Sequence, residues 1–132
     1  MPGTRRPGGH HTGTNPPPLK DRYAQPIRVD AVAADFPDLP IALVHSGYAW
    51  WPEPVAIAAV KPSVYLDLSG RPSSTGGEAR YYAAVRVLLD QIKPGRVMFG
   101  TDWPAFSPIT PTVHCVELLR NAPEAATKAA PA

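Results

Sequence analysis

The sequence holds a single cysteine, Cys115, so no disulfide can close within the chain. That excludes the small secreted scaffolds stapled by disulfides and fits a reducing compartment. No apolar run approaches the ~20 residues that a membrane helix requires. Charge of one sign is also missing: 13 Lys and Arg stand against 11 Asp and Glu, a net charge of +2. Such a balance provides no broad field for nucleic acid or an acidic partner. Arg5 and Arg6 are followed by no apolar stretch, so the N-terminus lacks the form of a secretory signal. The expectation is a cytoplasmic protein with a small-molecule substrate and no nucleic-acid or membrane partner. Neither a Gly-x-Gly-x-x-Gly nor a phosphate-loop pattern occurs, which leaves a nucleotide-binding doubly wound sheet without support.

What is present suits one globular domain. The 132 residues are 44% hydrophobic, and the 18 prolines gather at segment ends, where they punctuate. Residues 1–18, rich in Gly and Pro, read as irregular. Ile27, Ala31 and Ala34 recur at helical spacing, predicting a helix from about Pro26, which "FPDLP" ends. "IALVH" (41–45) reads as a short strand buried on both faces, and "HSGYAWWPEP" as a loop. A short helix is expected over 53–60, with Pro54 near its start, and a strand over 63–70. Tyr81, Val85, Leu88 and Ile92 mark an amphipathic helix over 78–92. "RVMFG" (96–100) gives a further strand, a final helix is expected from about Pro111, and residues 123–132 read as a disordered tail. Strands alternating with helices, with continuous apolar strands, predict an α/β protein with a parallel sheet. Two of these strands end on residues of metal-binding or acid–base type, His45 and Asp102. Chemistry in β/α barrels gathers at the C-terminal strand ends.

"HTGTNPPP", "DFPDLPIALVHSGYAWWPEPVAIAAVKPSVYLDLSG" and "RVMFGTDWP" together resemble the amidohydrolase-related proteins of the metal-dependent hydrolase superfamily. That group includes the decarboxylases acting on aminocarboxymuconate semialdehyde and on γ-resorcylate. The similarity runs from about His11 to about Arg120. It implies a (β/α)₈ TIM barrel with a divalent metal at its C-terminal mouth, zinc or else manganese. It implies that His11 ends the fifth strand as a metal ligand. His45 then ends the sixth strand, as acid–base residue or ligand, and Asp102 ends the eighth, as ligand or general base. The implied activity is a metal-dependent hydrolase using a metal-activated water on a small carboxylate- or ring-containing substrate. The alternatives are a decarboxylase of the same family or an inactive fragment.

The sequence also departs from the family. The first-strand His-x-His pair has no counterpart, and "RRPGG" before His10 cannot form a buried strand. Residues 19–122 therefore read as the C-terminal half of a barrel, roughly strands 6 to 8 with their helices. The missing N-terminal half or a homo-oligomer would complete it.

Each candidate has a structural alternative. Asp102 could cap a turn through its side chain. His45 could be a buried histidine bonded to backbone, and His11 could be one of a surface pair with His10. Trp50, Trp51 and Trp103 could wall a pocket or pack in the core, and the hydroxyl of Tyr48 could orient substrate. Asp67, inside a buried strand, needs a partner, for which Lys61 and Arg96 are the candidates in a structural ion pair. Arg71 reads as a solvated loop residue, with an anionic substrate as the other reading.

Overall fold

The computed structural model describes residues 7–70 and 78–102 together with 117 and 120. Four parallel strands, β1 (Gly8–His11), β2 (Ile41–Val44), β3 (Val64–Asp67) and β4 (Val97–Met98), form one sheet in the order β1-β2-β3-β4. Helices α1 (Arg28–Asp35), α2 (Pro52–Val60) and α3 (Glu78–Gln91) make the three crossovers. The chain is thus an α/β protein. No helix among the described residues is long and apolar enough to cross a membrane.

Helix α1 begins two residues later than proline placement predicts, because Gln25, Pro26 and Ile27 form the turn that feeds it. Glu53, in the first turn of α2, accepts the backbone N–H of Ile27 at 3.2 Å, so one carboxylate serves the entrances of two helices. Asp30 on α1 pairs with Lys61 just beyond α2. Helix α2 is apolar around much of its girth and buries Pro54, Val55, Ile57 and Ala58.

Strand parity decides which face the helices cover. Ile41, Leu43, Val64 and Leu66 are all buried in one cluster with Val29 and Ala33 of α1, Val55, Ile57 and Ala58 of α2, and Tyr81, Val85 and Leu88 of α3. The register sets Ile41 beside Val64, and Leu43 beside Leu66, which lies beside Val97. Of the other parity, His11, Val44, Tyr65 and Met98 stay partly or largely exposed, while Ala42 and Asp67 are buried. All three crossovers therefore pack on one side of the sheet. The consecutive strand order contains no reversal, and so no switch point of the doubly wound kind.

Two sequence expectations change. Residues 8–11, within the segment read as irregular, form β1, so the sheet has four strands rather than three. "GGHH" has little intrinsic strand preference; the ladder offered by β2 decides, with Gly8 N–H bonded to the Pro40 carbonyl and Thr12 N–H to that of Val44, each at 3.1 Å. The strand is nonetheless not buried, since Gly8, Gly9 and His11 are exposed. The second change concerns Arg96, which lies at the start of β4 and faces away from Asp67. Its Nη1 donates to the carbonyls of Ala58, Lys61 and Val64 at 2.7, 3.2 and 3.3 Å, tying the end of α2 to the entrance of β3. Arg71, Trp103, the helix expected from about Pro111 and the 123–132 tail lie outside the described residues, apart from 117 and 120.

Candidate active site

Parallel strands place all their C-terminal ends at one rim, and three of the four carry the predicted polar residues there. His11 is the last residue of β1, His45 follows β2 directly, and Asp102 lies four residues beyond β4. The rings of His11 and His45 meet edge to face, with centroids 4.9 Å apart. His45 Nε2 lies 3.9 Å from Asp102 Oδ2. The three residues come together although they are distant in sequence.

The backbone that presents them is unusual. His45, Ser46, Tyr48 and Asp102 all have positive φ, at 67°, 44°, 47° and 57°. Non-glycine residues pay about 1–3 kcal/mol for such conformations, which cluster at functional sites. The 45–50 segment, expected as a loop, is a pair of tight turns interrupted at Ser46, Gly47 and Tyr48. Thr12, fully buried, braces it: the hydroxyl donates to the Val44 carbonyl at 2.7 Å and accepts the Gly47 N–H at 3.0 Å. The Tyr48 ring folds back to stack on His45, with centroids 4.8 Å apart and planes 11° from parallel. Gly13 makes this possible. A Cβ there would fall 2.1 Å from Tyr48 Cδ2.

Behind His45 lies a buried polar network. Nδ1 is 3.0 Å from the Ser69 carbonyl and 3.1 Å from the Ser69 hydroxyl. That hydroxyl donates to Asp67 Oδ2, which also accepts the backbone N–H of His45 at 3.2 Å. Asp67 Oδ1 accepts the Ser69 N–H at 3.2 Å, and the Ser46 hydroxyl donates to the Asp67 carbonyl at 2.7 Å. The expected ion pair of Asp67 with Lys61 or Arg96 is therefore not formed. Both cations are at the other end of β3, with Lys61 bonded to Asp30 and Arg96 to carbonyls. A buried carboxylate can be satisfied by N–H and O–H donors instead of a cation. Sequence reasoning missed Ser69 and Thr12. For Ser69 a signal existed: it stands two residues after Asp67, hence on the same side of an extended chain.

A carbonyl only accepts, so the Ser69 oxygen keeps the proton of a neutral His45 ring on Nδ1; the tautomer follows from this network. Nε2 is then a lone pair directed toward the Asp102 carboxylate. Two acceptors face each other across 3.9 Å, an arrangement completed by a proton or a cation between them. Partial desolvation, then the neighbouring His45, pulls the His11 pKa below its ordinary value, while a hydrogen bond to Asn15 and the charge of Asp102 oppose the shift. The shift favours the neutral ring, the form that has a lone pair to donate. Burial, reinforced by Asp102 and Asp67, pushes the Tyr48 phenol far above its ordinary value, so its hydroxyl remains a proton donor. Imidazole nitrogen and carboxylate oxygen are the donor types that zinc takes. Among the described residues, no three His, Cys, Asp or Glu groups are yet drawn close enough to hold an ion together. Trp51 packs against the core, the structural alternative for that residue.

Strand-tip imidazoles and a carboxylate thus stand together at the C-terminal rim of a parallel sheet in an α/β protein. The family comparison makes this specific: the amidohydrolase family model matches residues 5–130, and the chain belongs to that family. It is also similar to protein fluG of Emericella nidulans, with 27% identity over 92 residues, or 70% of this chain. The chain spans about a tenth of that relative's length. No solved structure matches it.

Proposed function

We propose that this chain forms one side of the mouth of a (β/α)₈ barrel, with β1–β4 as four consecutive strands including the sixth to the eighth. Its activity in this reading is metal-dependent hydrolysis of a small carboxylate- or ring-containing molecule. The observation that carries the reading is the convergence of His11, His45 and Asp102 at the C-terminal rim. Consecutive strands with every crossover on one side support the barrel, because a wedge of such a barrel has this arrangement. The opposite face, including Val44, Tyr65 and Met98, is the one a closed barrel would cover, by an N-terminal half or a second copy.

His45 Nε2, Asp102 and His11 are the donors this chain would contribute to a divalent ion, zinc in the first place and manganese in the second, with the remaining ligands supplied by the rest of the barrel. Such an ion supplies Lewis acidity, polarising a substrate oxygen or acidifying a water. In this reading His45 and Asp102, whose Nε2 and Oδ2 lie 3.9 Å apart, are also the acid–base pair that would exchange protons with the substrate. Tyr48 offers its phenol as a hydrogen-bond donor beside them. Calorimetric titration of the metal-free chain with zinc and with manganese tests the assignment. Saturable one-site binding that Asp102→Ala weakens strongly is expected. Absence of binding, or binding indifferent to Asp102→Ala, rejects it.

A further inference from the structure

We propose that Asp67 and Ser69 are positioning residues, which together fix the tautomer and ring orientation of His45 so that its Nε2 lone pair faces Asp102. The proposal rests on the reading of His45 as a ligand or base. Both reach His45 on its backbone and Nδ1 side, opposite Nε2, and so act through His45.

The chemistry is directional. Both Asp67 oxygens act as acceptors, from the backbone N–H groups of His45 and Ser69 and from the Ser69 O–H, which donates to Oδ2. Once that proton is committed, the Ser69 oxygen offers only lone pairs to His45 Nδ1, 3.1 Å away. The Ser69 carbonyl, at 3.0 Å, makes the same demand from a second direction. Two acceptors thus require the proton on Nδ1. A freely turning hydroxyl would relax that demand, because it could donate to Nδ1 and release the proton to Nε2. Asp67 removes that freedom.

The same carboxylate sets the backbone. Oδ2 accepts the N–H of His45, whose φ of 67° carries the ring away from the strand direction. Asp67 and Ser69 are 9% and 6% exposed, so water competes little for these bonds. Gly100 of the segment after β4 closes over them. A Cβ at that position would lie 2.8 Å from Ser69 Cβ and 3.2 Å from Asp67 Oδ1. Groups behind a metal-binding histidine commonly determine its tautomer and tune its affinity, and this network has that form.

The test uses the metal-free full chain with ¹⁵N-labelled histidine. Two-bond ¹H–¹⁵N correlations at about pH 8, where an ordinary imidazole is neutral, read the tautomer of each ring. Wild-type His45 is expected with its proton on Nδ1. Asp67→Asn is expected to populate the Nε2–H form, while Ser69→Ala keeps Nδ1–H through the remaining carbonyl. Zinc affinity should fall about 10–100-fold in Asp67→Asn and about a few-fold in Ser69→Ala. Asp30→Asn, which removes a carboxylate remote from the site, should leave it unchanged. A wild-type proton on Nε2 overturns the proposal, as does an Asp67→Asn protein with unaltered tautomer and unaltered affinity. Should Asp67→Asn fail to fold, the wild-type tautomer and Ser69→Ala decide: Nδ1–H with weakened zinc binding supports the pairing, and undiminished affinity overturns it. If the wild-type chain takes up no zinc, the metal reading fails by itself, and the tautomers of wild type and Asp67→Asn still judge the positioning role.

Discussion

His45 Nε2 and Asp102 Oδ2 lie 3.9 Å apart, although β2 and β4, which deliver them, are separated in the sheet by β3. The gap is bridged from both sides. Both residues have positive φ, 67° at His45 and 57° at Asp102, outside the extended conformation of the strands that precede them. Ser69, beyond the end of β3, holds the imidazole from behind.

An ion bound at the proposed site would stabilise the folded chain, since the unfolded chain cannot assemble these groups. Zinc at a hundredfold excess over its Kd should add about 2.7 kcal/mol to the unfolding free energy. Urea denaturation with and without zinc measures this. The increment should vanish in Asp102→Ala and shrink at acid pH, where protons compete for the imidazoles.

His11 should titrate below the ordinary histidine value of 6.5 in the metal-free protein. Removing the Asp102 charge with Asp102→Asn should lower its midpoint further, and His45→Gln should raise it, as followed by NMR. The folded-state pKa lies below the unfolded one, so the unfolded chain binds more protons in the interval between them. The His11 contribution to stability is therefore complete above pH 6.5 and declines as pH falls toward the folded value. Its size is small, because the ring is largely exposed and water screens it.

Gly13→Ala should damage the site. Its φ of 146° disfavours any side chain, and the new methyl would overlap the Tyr48 ring that stacks on His45. A loss of about 1–3 kcal/mol in urea unfolding is expected. Zinc affinity should fall as well, because the displaced tyrosine no longer flanks His45.

Arg96→Ala separates stability from chemistry. The lost guanidinium leaves the Ala58, Lys61 and Val64 carbonyls without their common donor. Denaturant melts should show a deficit of about 1.5–3 kcal/mol. Zinc binding should be retained, because Arg96 sits at the opposite end of the strands from His45.

Much of the framework is legible in the chain itself. Apolar runs bounded by Pro and Gly specify β2 and β3, and the spacing of Tyr81, Val85, Leu88 and Ile92 specifies α3, because burying a face imposes its period on the sequence. A strand followed by a polar residue at its tip also marked His45 and Asp102. Strand β1 was not legible: "GGHH" carries no apolar pattern, and only hydrogen bonds offered by β2 make it extended. The partners of Asp67 were equally hidden. Sequence showed a carboxylate in an apolar strand and suggested nearby cations, whereas strand direction sends Lys61 and Arg96 to the far end of the sheet.

The sequence by itself determined the alternation of strands and helices, the apolar faces, and the residue types at the strand ends, since these depend on local periodicity and on side-chain chemistry. The tertiary structure alone decided that His11, His45 and Asp102 share one rim, that Asp67 serves His45 through Ser69, and that the three crossover helices cover the same face. Those relationships depend on the register and order of parallel strands, which hydrogen bonds between distant segments fix.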